Sequence, residues 1–247
     1  MPLRETEAIV LRTYRLGEAD KIVSLFTRQM GRLRAVASGA QRTKTRYGGT
    51  LESLSYIRLW VFERENRDLL RVNATELLES FFDMQKDYRM QVAAQYLVEA
   101  TERMLPEREV NERAFRLLVT VARAMKQLGE IDRPLVYFNY WLLLLAGFLP
   151  ALDRCAHCGR ELGDEFGYYG RGSEGLVCAR CRSGAPNALA AAALSLARSA
   201  RGQPIDQWMG STVAADGAKE VRRFLEELVE VHVEKKLVTR DLLEEEA

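Results

Sequence analysis

Histidine is almost missing from this sequence, which contains only His157 and His232. The chain also has no phosphate-binding G-x-x-x-x-G-K-[ST] loop, no H-E-x-x-H zinc-protease motif and no G-x-S-x-G nucleophile motif. Nucleophilic and metal-hydrolase chemistry depend on such groups, and no other catalytic constellation is visible. These absences predict a binding protein rather than an enzyme.

Long hydrophobic segments are missing as well. The longest apolar run, 141–148, is far shorter than the roughly 20 residues that cross a bilayer, and the first ten residues lack the apolar core of a signal peptide. The four cysteines form two C-x-x-C pairs, a usage that favours metal binding over disulfides in a chain that is not exported. We therefore expect a cytoplasmic protein with no membrane partner.

Asp and Glu are absent from 21–51, although the whole chain is balanced, with 36 Lys and Arg against 35 Asp and Glu. In 32–37 apolar and basic residues alternate, which predicts a strand with its arginines on one face, followed by a mobile basic loop. Lys and Arg that neutralise phosphates release condensed counterions, so this stretch favours nucleic acid over a merely solvated surface. The predicted DNA-binding residues are Lys21, Arg32, Arg34, Arg42, Lys44 and Arg46, with Tyr47 as a ring on which bases stack.

The first 80 residues have the pattern of a small β-barrel. Short apolar strands are predicted at 8–12, 21–26 and 32–37, followed by a long strand in LESLSYIRLWVFE and another in LLRVNATEL. Five strands with one long connection after the third fit a closed barrel of the OB type, which often binds single-stranded nucleic acid. We interpret the face shared by Tyr56, Arg58, Trp60 and Phe62 as packed against a neighbouring domain, with base stacking as the alternative.

From Ser80 onward the apolar spacing becomes helical. The predicted helices are 84–104, 111–128, one capped by Asp132 that starts at Pro134 and ends at Gly147, an Ala-rich helix in NALAAAALSLARSA, and a long last helix capped by Asp216. The acidic end DLLEEEA is interpreted as frayed and solvated, the alternative being that it folds onto the basic barrel.

The cysteine pairs have the spacing of a zinc ribbon, in which two knuckle turns give four thiolates to one ion. The predicted ligands are Cys155, Cys158, Cys178 and Cys181. Four thiolates fill a tetrahedron, so we expect one structural Zn2+ and no open catalytic position. The arginines beside the knuckles (Arg154, Arg160, Arg180 and Arg182) either offset the negative charge of the site or contact nucleic acid.

These patterns together predict an α+β multidomain protein. We expect an N-terminal OB-fold β-barrel over 1–80, an α-helical bundle domain over 81–150 and 186–247, and a four-cysteine zinc ribbon inserted over 151–185.

Two segments, AIVLRTYRLGEADKIVSLFTRQMGRLRAVASGAQRTKTRYGGTL and YFNYWLLLLAGFLPALDRCAHCG, resemble the bacterial DNA repair protein RecO family. The resemblance implies an OB-fold, a helical domain and a zinc ribbon. It also implies a recombination mediator that binds single- and double-stranded DNA and anneals complementary strands. With RecR, such a protein helps load RecA onto strands covered by single-stranded DNA-binding protein (SSB), whose C-terminal tail is a further partner. Ser38 and Gln41 replace basic residues common in the family, which puts more weight on the three loop cations that follow.

Two other functions remain open at this point. One is a non-enzymatic docking protein whose helical domain recruits partners and whose nucleic-acid contacts are minor. The other is an RNA-binding ribbon protein, which only the barrel and the zinc pattern favour.

Overall fold

The computed structural model describes residues 2–63, 69–210 and 217–245. The chain forms two compact units, Met1–Lys126 and Gln127–Ala247.

The first unit contains a closed barrel of five strands in the order β1-β2-β3-β5-β4. The strands are β1 (Leu3–Leu16), β2 (Asp20–Thr27), β3 (Gly31–Ala37), β4 (Tyr56–Phe62) and β5 (Leu70–Glu79). All pairings are antiparallel except the one between β3 and β5. This is the predicted OB arrangement. Strand β4 begins at Tyr56, five residues later than LESLSYIRLWVFE suggested, because 38–55 is a long connection of turns.

Apolar side chains at every second position of the strands fill the barrel. On β3 the side chains of Leu33, Ala35 and Ala37 are buried while Arg32 and Arg34 leave the other face, as predicted. The same period places 57, 59 and 61 of β4 inside. The interior is therefore apolar, and charge is confined to the outer face and the ends of the barrel.

Helix α1 (Tyr88–Met104) and all but the last two residues of α2 (Glu112–Leu128) belong to the same unit, and a 3-10 turn (Phe82–Lys86) precedes them. The predicted helix over 84–104 is divided at Asp87, whose backbone is extended and whose carboxylate accepts a hydrogen bond from Met90 N at 2.9 Å. Asp87 thus caps α1 and separates it from the turn.

Gly31 has a left-handed backbone (φ +67°), and a Cβ there would lie 2.2 Å from Glu109 O. Gly17 has a similar φ of +61°, and a Cβ added there would meet nothing within 4 Å, so it is a matched control. We expect Gly17→Ala to lose about 1 kcal/mol from backbone strain, and Gly31→Ala to lose a further 1–3 kcal/mol, roughly, from the collision. Urea unfolding of both variants measures this. Equal losses would contradict the close approach.

The second unit is mainly helical. Its helices are α3 (Asp132–Ala146), α4 (Ala191–Ser199), α5 (Ile205–Gly210), α6 (Ala218–Val233) and α7 (Val238–Glu245), and a two-stranded sheet joins β6 (Gly167–Tyr169) to β7 (Asn187–Leu189). Helix α3 is buried along most of its length, as its apolar sequence predicted, and ends at left-handed Gly147. Among the helices in the described ranges, none has both the length and the apolar content that crossing a membrane requires.

Two boundaries in this unit differ from expectation. Helix α3 starts at Asp132 rather than Pro134, since a proline in the first turn removes no helical hydrogen bond. The first residues of NALAAAALSLARSA pair with β6 as strand β7, so helix α4 begins only at Ala191. Asp216, the predicted cap of the long last helix, lies outside the described residues, and α6 begins at Ala218.

The acidic end is not frayed over its described part. Residues through Glu245 form α7, in which Leu243 is buried. Arg240 pairs with Glu227 at 2.7 Å and also with Glu230, two acids of the preceding helix. The expectation of a frayed tail was wrong for 241–245, because these residues continue helix α7, which Arg240 attaches to α6.

Candidate nucleic-acid interface and metal centre

The outward arginines of β3 are engaged within their own unit. Arg32 Nε donates to Leu105 O at 2.7 Å, and burial lowers the pKa of its guanidinium although Glu107 opposes that shift. Arg34 pairs with Glu107 at 3.3 Å and remains about half exposed. Arg32 therefore has a structural role, and Arg34 offers only part of its charge to a ligand.

The loop after β3 begins on a fixed support. Gln41 N donates to Ala19 O at 2.9 Å, and its side-chain Nε2 donates to Asp20 O at 2.6 Å. Gly39 N donates to a carboxylate oxygen of Asp20 at 2.8 Å. The start of the loop, expected to be mobile, is thus attached to the turn between β1 and β2.

Beyond this attachment, Arg42 and Lys44 are exposed. Neither side chain has a hydrogen bond or an ion pair within the described part of the chain. Their charges are available to an external anion.

Lys21 lies directly opposite Arg15 on β1, and on its other side opposite Ala37 at the end of β3. Neither cation has an ion-pair partner in the described ranges. Like charges directly opposite each other are destabilising, so a bound anion would relieve this pair. Arg15 was not predicted, because it precedes the acid-free window and only the hairpin register brings it beside Lys21.

Tyr47 turns inward, whereas Arg46 stays exposed and is held by hydrogen bonds. The Tyr47 ring is only 2% exposed and belongs to the barrel core. Arg46 Nη2 donates to Tyr47 Oη at 2.8 Å and to Val72 O at 3.3 Å. A ring this buried presents no face to a base. The stacking role predicted for Tyr47 is therefore wrong, and the ring packs in the barrel core. Arg46 secures the far end of the loop.

The aromatic face of β4 is packed at Tyr56. Its ring lies 6.1 Å from that of Phe115 on α2, and its hydroxyl donates to Glu7 Oε2 at 2.8 Å. Burial, together with this hydrogen bond, raises the pKa of Tyr56 to about 12. Trp60 Nε1 donates to Glu5 Oε2 at 3.0 Å. Tyr56 is therefore packed, as the interpretation favoured from the sequence had it, and it packs against a helix of the same unit.

The four cysteines converge in the second unit, where their Sγ atoms all lie within 4.8 Å of one another. Four sulfurs about 2.3 Å from a tetrahedral zinc would be about 3.8 Å apart, and Cys158 Sγ and Cys178 Sγ are separated by 3.9 Å. Each pair forms a tight turn: Gly159 N donates to Cys155 O, and Cys181 N donates to Cys178 O, both at 2.9 Å. The cluster therefore fits one four-coordinate ion, with no other His, Asp or Glu of the described residues in the set.

Backbone amides favour the thiolate form of Cys155, whereas burial and the neighbouring sulfurs raise the pKa of Cys181 to about 12. Burial opposes the charge of Cys155, but the N–H groups of Cys158, Cys178 and His157 donate to its sulfur and lower its pKa to about 6. Thiolate is the form that ligates metal ions. The turns thus supply both the position and the charge state of a ligand.

The sequence has clear relatives. The family description "Recombination protein O N terminal" matches residues 1–81, and "Recombination protein O C terminal" matches residues 85–241. The chain is 37% identical over 242 residues to "DNA repair protein RecO" of Koribacter versatilis (strain Ellin345), covering 98% of each chain. It is 30% identical over 239 residues to the protein of the same name from Anaeromyxobacter dehalogenans (strain 2CP-C), covering 96% of this chain and 94% of that one. The chain belongs to the RecO family of DNA repair proteins.

In this RecO-family chain the loop cations and the cysteines fall in different matched segments. Arg42 and Lys44 lie in the N-terminal one, which is the OB-fold barrel, and all four cysteines lie in the C-terminal one.

The arginines beside the cysteines are mostly occupied. Arg154 pairs with Glu161 at 3.0 Å, and Arg160 pairs with Glu165. The Arg182 guanidinium lies 4.9 Å from the centre of the Tyr168 ring. Arg180 is exposed and has no partner among the residues that the structure describes. Arg154, Arg160 and Arg182 therefore have local partners, and the side chain of Arg180 is open to a ligand.

Proposed function

We propose that this protein is a recombination mediator that binds single- and double-stranded DNA at one end of its barrel and anneals complementary strands. The observation that carries the proposal is the pair Arg42 and Lys44, exposed without ion-pair partners in the described ranges, on a loop attached to the barrel. Lys21 and Arg15 add two further charges at the turn that holds the loop.

Phosphate groups suit this surface better than bases do. Exposed Lys and Arg side chains contact phosphates through charge and hydrogen bonds without reading sequence. Annealing requires two strands to be held with their charges screened and their bases free to pair, and a sequence-blind basic surface provides this. The predicted set is accordingly weighted toward Lys21, Arg42 and Lys44, with Arg32, Arg46 and Tyr47 in supporting positions.

Membership of the RecO family supports further proposals. The protein would act with RecR to load RecA onto single strands covered by SSB, with the SSB C-terminal tail as a partner. We propose no catalytic role for any residue, one structural Zn2+ on the four cysteines, and a location beside the DNA in the cytoplasm. The division into a barrel over 1–80, a helical domain over 81–150 and 186–247 and a ribbon over 151–185 remains a prediction.

Fluorescence anisotropy tests the proposal. Labelled single- and double-stranded DNA of several sequences is titrated with the protein across a salt series. We expect both forms to bind without sequence preference and to weaken steeply as salt rises, because binding releases counterions. An annealing assay with complementary oligonucleotides follows. Failure to bind DNA at low salt would reject the function.

Removing the loop charges is expected to weaken DNA binding. Arg42→Ala/Lys44→Ala should lower the magnitude of the slope of log K against log salt by about 1.4 for single strands, since each lost phosphate contact removes about 0.7. Arg46 is left intact because it secures the loop. Arg58→Ala is the control, since Arg58 is already paired with Glu76 at 3.0 Å. An unchanged slope in the double variant would remove the loop from the interface.

A docking protein is the second candidate, and exposed apolar side chains in the first unit favour it. Leu77, Phe82 and Tyr88 are 44%, 52% and 51% exposed over one short stretch of chain. Such surfaces often mark protein contacts. A pull-down with the acidic SSB tail separates the two functions. Capture of the tail by a protein that does not bind DNA would favour docking.

A further inference from the structure

One row of side chains on the outer face of the barrel is not covered by helix α1 or by the segment that follows it. Strand register places Tyr14 of β1 opposite Ile22 of β2, Ile22 opposite Val36 of β3, and Val36 beside Arg71 of β5. Directly opposite residues point to the same side of a sheet, so these four form a single row, called the open row below. It crosses three strand spacings, about 14 Å.

The neighbouring row explains why this one is open. There Ser24 Oγ donates to Glu102 of α1 at 2.7 Å, and Arg12 pairs with the same carboxylate at 2.8 Å. Arg34, opposite Ser24, is held by Glu107. Helix α1 and the segment after it therefore cover the sheet up to this row and no further.

Tyr14 is the prominent member of the open row. Its side chain is 49% exposed, and within the described ranges neither its ring nor its hydroxyl has a partner. Ile22 and Val36 are partly exposed beside it. The row thus offers an aromatic face with an apolar floor.

Cations surround this face. Arg71 lies in the row, with Phe62 of β4 opposite it, and Arg42 and Lys44 lie on the loop attached to the turn that follows β1. Arg15 and Lys21 are one position further along their strands and therefore leave the other side of the sheet. The acids of that turn are Glu18, which is exposed, and Asp20, one of whose oxygens is taken by Gly39 N. Three cations on this side, Arg71, Arg42 and Lys44, against two acids give the surroundings of Tyr14 an excess of positive charge.

We propose that Tyr14 is the residue on which bases of single-stranded DNA stack, with Ile22 and Val36 beneath the neighbouring nucleotide and the surrounding cations on its phosphates. The inference rests on the proposed DNA binding and assigns its geometry. Aromatic rings with a basic border accept any base, because every base has a π-face. Bases of a duplex are already stacked on one another, so Tyr14 distinguishes single strands from duplexes.

The test compares Tyr14→Ala, Tyr14→Phe and Tyr88→Ala in the full-length protein. Tyr88 is a matched control because it is 51% exposed, in the same unit and outside the basic surroundings. Anisotropy with single- and double-stranded DNA should show about tenfold weaker single-strand binding for Tyr14→Ala, the loss of one stacked base. Duplex affinity and the salt slope should not change, since no charge is removed. Tyr14→Phe and Tyr88→Ala should bind like the unaltered protein.

Each other result has a distinct meaning. If the unaltered protein binds DNA but Tyr14→Ala binds single strands equally well, the stacking role is rejected and the proposed function stands. Equal losses for single strands and duplexes would likewise reject stacking. If the unaltered protein binds neither form at low salt, the proposed function fails and this inference fails with it. Circular dichroism and melting of each variant verify that the fold is retained.

Discussion

Replacing Cys178 with serine is expected to abolish binding of the zinc proposed for the four cysteines and to open the segment around the two knuckles. Cys178 is 1% exposed, and its sulfur lies among the four that converge. A weaker hydroxyl ligand at a buried position breaks a tetrahedral thiolate site, and in small zinc domains the free energy of metal binding is the free energy of folding. The apparent value in zinc-finger peptides, about 10–16 kcal/mol, makes this the largest effect that we expect.

Metal analysis and limited proteolysis measure this effect. The unaltered protein should carry one zinc per chain, and Cys178→Ser should carry none and should be cut by trypsin at the arginines in and beside the knuckles (Arg154, Arg160, Arg171, Arg180 and Arg182). His157→Ala is the control, because His157 is exposed between two ligands and is not one of the four. Absence of metal from the unaltered protein would contradict the assignment. Loss of metal from His157→Ala would mean that the ligand set is wrong.

Arg222→Met is expected to destabilise the second unit strongly. Arg222 is 0% exposed, its Nε donates to Asp132 Oδ1 at 2.8 Å, and its Nη1 donates to Glu226 Oε1 at 2.8 Å. The guanidinium therefore joins α3 to α6. Removing one partner of a buried ion pair leaves an uncompensated charge, which typically costs about 3–5 kcal/mol in the free energy of unfolding.

A double variant separates the lost pair from lost packing. Arg222→Met/Glu226→Leu removes both buried charges, so it should regain most of the stability that the single variant loses. Asp132 is about one-third exposed and can be solvated in either variant. Urea unfolding of the two variants and the unaltered protein provides the comparison. A double variant as unstable as the single one would show that the guanidinium acts through shape rather than charge.

The loss in the free energy of unfolding caused by Arg222→Met should also depend on pH. Burial raises the pKa of Glu226 to about 7, although Arg222 opposes the shift. An acid whose pKa is raised in the folded state holds a proton that the unfolded chain releases, so its contribution is full at acid pH and is lost as pH rises toward the folded value. Without Arg222 that pKa rises further. Below about pH 7 both folded proteins hold this proton, so the stability difference between them should stay constant there; it should grow above about pH 7, where only the unaltered protein releases the proton.

Local patterns in the sequence were sufficient for much of this architecture. Alternation in 32–37 predicted which β3 side chains fill the barrel, and the spacing of two C-x-x-C pairs predicted that four sulfurs converge. Both depend on neighbours a few residues apart. The family followed from similar segments and was confirmed by relatives that span the whole chain.

Long-range contacts determined what the sequence did not reveal. Arg32 is engaged by a carbonyl 73 residues away, and the Tyr47 hydroxyl meets a β5 carbonyl 25 residues away. Neither carbonyl can be inferred from the residues near Arg32 or Tyr47 in the sequence. The basic stretch 21–51 therefore suggested exposed side chains at positions where the structure has hydrogen-bonded or buried ones. Arg15 was missed for the converse reason, since pairing across a hairpin gives it a cationic neighbour. The assignment of DNA-binding residues remains a prediction.

The two attachments of the loop after β3 have a consequence for the thermodynamics of binding. Gln41 fixes one end on the β1–β2 turn, and Tyr47 fixes the other in the barrel. Cations on a freely moving segment lose conformational entropy when they meet a polyanion, and that loss is subtracted from the affinity. Here the backbone on both sides of Arg42 and Lys44 is already ordered, so mainly the side chains remain to be restricted. A DNA strand that binds this surface would contact cations whose backbone is already ordered. Calorimetry should therefore find only a small entropic penalty from the loop.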